Sequence, residues 1–106
     1  MKPKEIIAEI KNITDQIIHK YNPQKIILFG SAGRGEYDKV NDLDFLIIKD
    51  DVPIHGIARM RELDNLIERN IAADLLVYRS EEFEDRVKLR DPFIITILKE
   101  GQTLYG

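Results

Sequence analysis

Two carboxylates, Asp42 and Asp44, stand two positions apart immediately ahead of the most apolar run of the chain, Phe45-Leu46-Ile47-Ile48. Side chains of a strand alternate between its faces, so residues two apart share one face. Like charges side by side at the start of a buried strand are unfavourable unless a cation neutralises them. Oxygen-only ligands suit a hard divalent ion such as magnesium. Taken alone, an acid-x-acid pair is as readily a solvated strand edge; its place at the head of a core strand makes it a candidate site. A third carboxylate, Asp74, interrupts the otherwise apolar Ile71-Ala72-Ala73-Asp74-Leu75-Leu76-Val77. Carboxylates are seldom buried without a partner, which favours a working role for it over a structural one.

Upstream, Gly30-Ser31 follows the apolar Ile26-Ile27-Leu28-Phe29. A glycine lets a phosphate come close to the backbone, and Ser31 adds a hydroxyl and a backbone N–H. Arg34 offers a guanidinium for phosphate oxygens. An ordinary tight turn explains Gly30-Ser31 equally well in isolation. The glycines fit neither G-x-G-x-x-G nor the Walker lysine pattern, so neither a Rossmann nor a P-loop reading survives.

Composition narrows the chemistry further. There is no cysteine, which removes disulfides, thiolate zinc sites and cysteine nucleophiles. The two histidines, His19 and His55, share no ligand spacing. Metal chemistry must therefore run on carboxylates, with magnesium, manganese or calcium. Lys and Arg total 16 against 19 Asp and Glu, a net charge of −3. That balance lacks the basic stripe of a duplex nucleic-acid binder, and stable duplex binding is not expected. With 106 residues, 43% hydrophobic and 33% charged, the sequence predicts one folded domain over 1–106. No apolar run approaches a bilayer span, so no membrane partner is expected. The N-terminal segment lacks an uninterrupted apolar h-region, so the chain reads as cytoplasmic.

The periodicity places these residues on elements. Ile6, Ile7, Ile10, Ile13, Ile17, Ile18 and Tyr21 mark an amphipathic helix over about 4–21, closed by Asn22-Pro23. Strands are expected over 25–29, 43–48 and 71–78, with a loop or a loop and one helical turn over 30–41. Met60, Leu63, Leu66 and Ile67 predict a helix over about 57–69, stopped by Asn70. Ser80 is expected to cap the next helix, and the run Glu81 to Arg86 to form its solvated face. Asp91-Pro92 should open a last helix that stops at Gly101. The result is an α/β domain with three core strands flanked by helices.

A helix of that length joins the second and third strands as a right-handed crossover between parallel neighbours, which aligns their starts. Asp74 would then lie beside Asp42 and Asp44. An antiparallel first strand would bring Gly30 and Ser31 against the same cluster.

Gly30-Ser31, the ten-residue gap, Asp42-Leu43-Asp44 and the later Asp74 resemble the signature of the polymerase-β-type nucleotidyltransferases. The stretch Leu28-Phe29-Gly30-Ser31-Ala32-Gly33-Arg34-Gly35 is similar, more closely, to the minimal nucleotidyltransferase group, and the resemblance covers nearly the whole chain. Two departures stand out: Asn41 where the family often has serine, and Gly33 where it often has alanine. The resemblance implies the nucleotidyltransferase fold, a small mixed β-sheet flanked by helices. It also implies transfer of AMP from ATP to a hydroxyl with two magnesium ions. Asp42 and Asp44 would ligate both ions. Asp74 would ligate the catalytic one and take the hydroxyl's proton. Gly30, Ser31 and Arg34 would hold the nucleotide. Metal binding should be weak without nucleotide, because magnesium is usually held partly by substrate phosphates.

Members of the minimal group act as antitoxins of a small helical HEPN-type toxin, and some attach AMP to a toxin tyrosine. The resemblance therefore implies a protein AMP-transferase with such a toxin as acceptor and complex partner. Two alternatives stand beside it. One is a module that silences its partner by masking it with the exposed faces of its terminal helices. The other is an aminoglycoside-type transferase, which would have to build its pocket as an oligomer.

Overall fold

The computed structural model describes all residues, 1–106. Helix α1 (Pro3–Tyr21) has proline in its first turn and ends where Asn22 turns left-handed at φ 54° ahead of Pro23. Ile6, Ile10, Ile13, Ile17 and Tyr21 recur on one face and are buried together. They pack on one side of a sheet built from β1 (Lys25–Phe29), β2 (Leu43–Ile48), β3 (Ala73–Tyr78) and β4 (Gln102–Tyr105). The spatial order is β3-β2-β1-β4, with β1 antiparallel to β2 and β4, and β2 parallel to β3.

Strand alternation divides the core into two layers. Ile26, Leu28, Phe45, Ile47, Leu75 and Val77 face α1 and the crossover helix α3 (Gly56–Asp64). Ile27, Leu46 and Ile48 face the other way, under Ile94 and Ile97 of α5 (Pro92–Glu100). Phe83 and Val87 of α4 (Ser80–Lys88) close the second layer. A single helical turn, α2 (Gly30–Gly33), and a 3-10 turn at 37–39 occupy the loop between β1 and β2.

The mixed α/β sheet matches the sequence reading, with three corrections. A fourth strand extends the sheet beyond β1. Its four residues carry only one half-buried side chain, Leu104, so no alternation announces it; pairing with β1 creates it. The crossover helix stops at Asp64, and β3 starts at Ala73 instead of Ile71. Polar side chains of α1 supply the backbone partners that further helical turns would have supplied. The Gln16 amide donates to the Glu68 carbonyl at 2.6 Å and accepts from the Glu68 N–H at 2.8 Å. Lys20 donates to the Leu66 carbonyl, and the buried Glu9 carboxylate accepts from the Asn70 N–H. Lastly, Ser80 does not cap α4. Arg79 holds that position, its N–H donating to the Glu82 carboxylate at 2.7 Å, while the Ser80 N–H donates to Asp50 at 2.8 Å. Asp91 does cap α5, accepting from the Phe93 N–H at 2.9 Å.

Candidate active site

The site is assembled by strand register. Asp44 sits opposite Asp74 across the parallel β2/β3 pair and opposite Phe29 across the antiparallel β1/β2 pair. One carboxylate therefore has a second carboxylate on one side and the end of β1 on the other. Asp42 lies just ahead of β2 and, by period-two alternation, turns to the same face. Carboxylate oxygens of Asp42, Asp44 and Asp74 all lie within 4.8 Å of one another. Asp42 and Asp74 are exposed and Asp44 is half-buried, so the cluster opens to solvent.

No ion pair reaches any of the three. Burial, then the charge of Asp42, then that of Asp74, push the Asp44 carboxyl up to about 6. Three acids crowded together with no cation among them are an unfavourable arrangement that a divalent ion would relieve, and their oxygen-only donor set fits magnesium.

Gly30 is shaped by this cluster. Its φ of +70° is one that side-chain-bearing residues rarely adopt, and a Cβ there would overlap the Asp44 carboxylate. The backbone thus passes directly against the acids. Ser31 follows, half-buried in α2, with its carbonyl accepting from the Glu36 N–H at 3.0 Å. Arg34 is placed differently. Its exposed guanidinium is engaged by Glu36 at 3.2 Å and Glu100 at 3.5 Å, and the Glu36 bond leads the contacts that raise its pKa. The structure therefore brings Gly30 against the acids and ties Arg34 to the end of α5.

Sequence reasoning missed that tie, because Glu100 belongs to an element far along the chain. Gly33, one of the departures from the family pattern, also gains a reason. A Cβ there would stand 2.6 Å from the Leu28 carbonyl, and the Gly101 Cα packs on the same spot. Alanine does not fit where α2 lies this close on β1. His19 and His55 are exposed and outside the cluster.

A family model described as a nucleotidyltransferase domain matches residues 7–104, a span that holds the three acids, β1 to β3 and all but the last residue of β4. The chain belongs to that family. It is a nucleotidyltransferase. Within the family, a Methanocaldococcus jannaschii protein named "Putative protein adenylyltransferase" is 32% identical over 98 residues, covering 91% of this chain and 94% of its own length. A second protein of that name and organism is 43% identical over 49 residues, covering 46% of this nucleotidyltransferase and 48% of its own length. No solved structure gives a significant match. Nucleotidyltransferase domains typically use divalent metals, and Asp42, Asp44 and Asp74 are the residues able to hold one here.

Proposed function

We propose that this nucleotidyltransferase moves AMP from ATP to a hydroxyl of a protein, with Asp42, Asp44 and Asp74 as its catalytic centre. The observation that carries the reading is the convergence of three unpaired carboxylates within 4.8 Å, beside a glycine that keeps the backbone bare. The names of the two relatives support a protein acceptor. In the reaction the acceptor oxygen bonds to the α-phosphorus, the bond from that phosphorus to the β-bridging oxygen breaks, and pyrophosphate leaves. The hydroxyl proton passes to the Asp74 carboxylate. Gly30 and Ser31 accommodate the triphosphate, and Arg34 reaches its oxygens once released from Glu36 and Glu100. Bound magnesium, two ions held by Asp42, Asp44 and Asp74, would activate the attacking oxygen and neutralise the leaving charge.

We further propose the acceptor to be a tyrosine of a HEPN-type toxin, so that AMP transfer makes the chain an antitoxin. Incubating the protein with α-labelled ATP and magnesium in an extract of its source organism tests both statements. A labelled protein band, present with wild type and absent with the Asp42→Asn/Asp44→Asn variant, is expected; its identity decides the toxin assignment. Label on RNA or a small molecule would keep the enzyme and discard the protein acceptor.

One observation favours a second reading, a module that masks its partner. Leu89, Phe93 and Leu98, on and before the last helix, are exposed at 75%, 45% and 48%. Masking would survive the double variant, whereas neutralisation by AMP transfer would not.

A further inference from the structure

The acids share their face of the sheet with a helix. Asp44 alternates with Leu46 and Ile48, and Asp74 with Leu76 and Tyr78, so both carboxylates turn to the side on which α5 lies. Ile94 and Ile97 of that helix are buried over Ile27, Leu46 and Ile48. Its first turn reaches the end of β1. There the Phe93 ring stands edge-to-face against Phe29, with centroids 5.6 Å apart and planes at 88°. Phe29 is the residue directly opposite Asp44, and side chains so paired stand about 5 Å apart at their Cβ atoms. An aromatic pair therefore borders the carboxylate cluster on the β1 side.

The fold does not explain this ring. Phe93 remains 45% exposed, although its neighbour Ile94 is fully buried. The cap of α5 uses only the Phe93 backbone N–H, which donates to Asp91. An edge-to-face pair covers at most one face of either ring, so an open aromatic face remains at the rim of the acids. A flat, uncharged π-surface beside groups that hold phosphates suits a nucleobase, which stacks on aromatic side chains.

The reaction limits where the base can go. In an in-line displacement the attacking hydroxyl and the departing pyrophosphate lie on opposite sides of the α-phosphorus. Pyrophosphate at Gly30 and Ser31 and the hydroxyl at Asp74 set that line across the strands, and the ribose must leave to one side of it. One side is the end of the sheet, where β1 stops and β2 and β3 begin. The other is the face of the sheet, where Phe93 stands. We propose that Phe93 binds the nucleobase of the triphosphate by stacking, backed by Phe29, and gives the site a preference for purines over the smaller pyrimidines. This rests on the ATP reading above and adds how the base is held. Leu89 and Leu98 remain for a partner.

The test reads binding, so it needs no acceptor. Two compounds are titrated by calorimetry in the presence of magnesium: α,β-methylene-ATP, which cannot release pyrophosphate, and inorganic tripolyphosphate, which has no base. Phe93→Leu keeps an apolar side chain against Phe29 but removes the aromatic face. It should weaken the ATP analogue about tenfold and leave tripolyphosphate unchanged, and Phe93→Trp should restore the affinity. The chain has no tryptophan of its own, so Phe93→Trp carries a single reporter. Its emission should be quenched by the ATP analogue and unmoved by tripolyphosphate. Wild type should bind the ATP analogue more tightly than the corresponding UTP analogue, and Phe93→Leu should narrow that gap.

Equal affinity of wild type and Phe93→Leu for the ATP analogue would overturn the stacking and leave the ATP reading standing, with the base held elsewhere. An equal loss for the analogue and for tripolyphosphate would overturn it too, because the ring would then act on the acids or Gly30 through packing. Should Phe93→Leu fail to fold, Phe93→Trp decides alone: emission unmoved by saturating ATP analogue overturns the proposal. Wild type that binds neither compound with magnesium is failure of the nucleotide reading itself, and the stacking proposal falls with it.

Discussion

Asp44 is the residue on which fold and chemistry meet, and its protonation can be followed without any substrate. Its folded pKa is raised from 3.8 to about 6. The folded state therefore binds the proton more tightly than the unfolded chain does. The stabilisation this gives is fully present below 3.8 and is lost as pH rises through about 6. Metal-free protein should thus lose stability over that window. Asp44→Asn should flatten that loss and raise the melting temperature at neutral pH by roughly 4–8 °C, as for about 1 kcal/mol once solvent screening is discounted. The same variant should abolish nucleotidyl transfer, so calorimetry and label transfer will move in opposite directions. Gly30→Ala should lower both. Its positive φ and the overlap of the new Cβ with Asp44 predict a loss of about 1–3 kcal/mol, read by urea unfolding, and a displaced carboxylate. At this scale the sequence was legible wherever spacing alone decides geometry. Asp42 and Asp44 share a face because strands alternate. Arg34 was not, since Glu36 and Glu100 compete for it and only one of them is near in sequence.

Elements are held by contacts that periodicity does not encode. Arg59 is buried in α3 and joins the turn at Pro53 and Ile54, the edge of β3 and Glu82 of α4 through hydrogen bonds. The sequence reading placed Glu82 on a solvated face, but Arg59 reaches it across 23 residues. The Arg59 hydrogen bond is the largest of the influences holding the Glu82 carboxyl below the usual range. Its stabilisation is present above the unfolded pKa and lost as pH falls through the lowered folded value. Glu82→Gln, which leaves the buried guanidinium without its counter-charge, should cost about 2 kcal/mol in urea unfolding at pH 7. The gap between it and wild type should narrow in acid. Elements with a strong internal pattern, α1 and β2 above all, were legible from their own residues. The boundary of α3 and the existence of β4 were not. The first is set by Gln16, Lys20 and Glu9 reaching over from α1, and the second by an open edge of β1 that only the folded sheet presents.

At the scale of the whole molecule, the proposed reaction makes substrate part of the metal site, because magnesium is usually held partly by substrate phosphates. Magnesium alone should bind weakly and shift the melting temperature little. ATP with magnesium should stabilise the fold by about 2.7 kcal/mol at a hundredfold excess over Kd. Chelation should return the protein to its metal-free midpoint without unfolding it, and thermal scans with and without EDTA will show this. The facing of Asp44 and Asp74 has a consequence of another kind. Sliding β3 by one residue along β2 would turn every side chain of the strand over, driving Asp74 into the apolar layer under α1 and leaving Leu75 in water. A carboxylate without a partner in that layer is far costlier than a misplaced leucine. The acidic residue therefore disfavours a misaligned pairing of the two strands, and a change of Asp74 to an apolar residue would remove a proposed catalytic group and that penalty on misregistered sheets together.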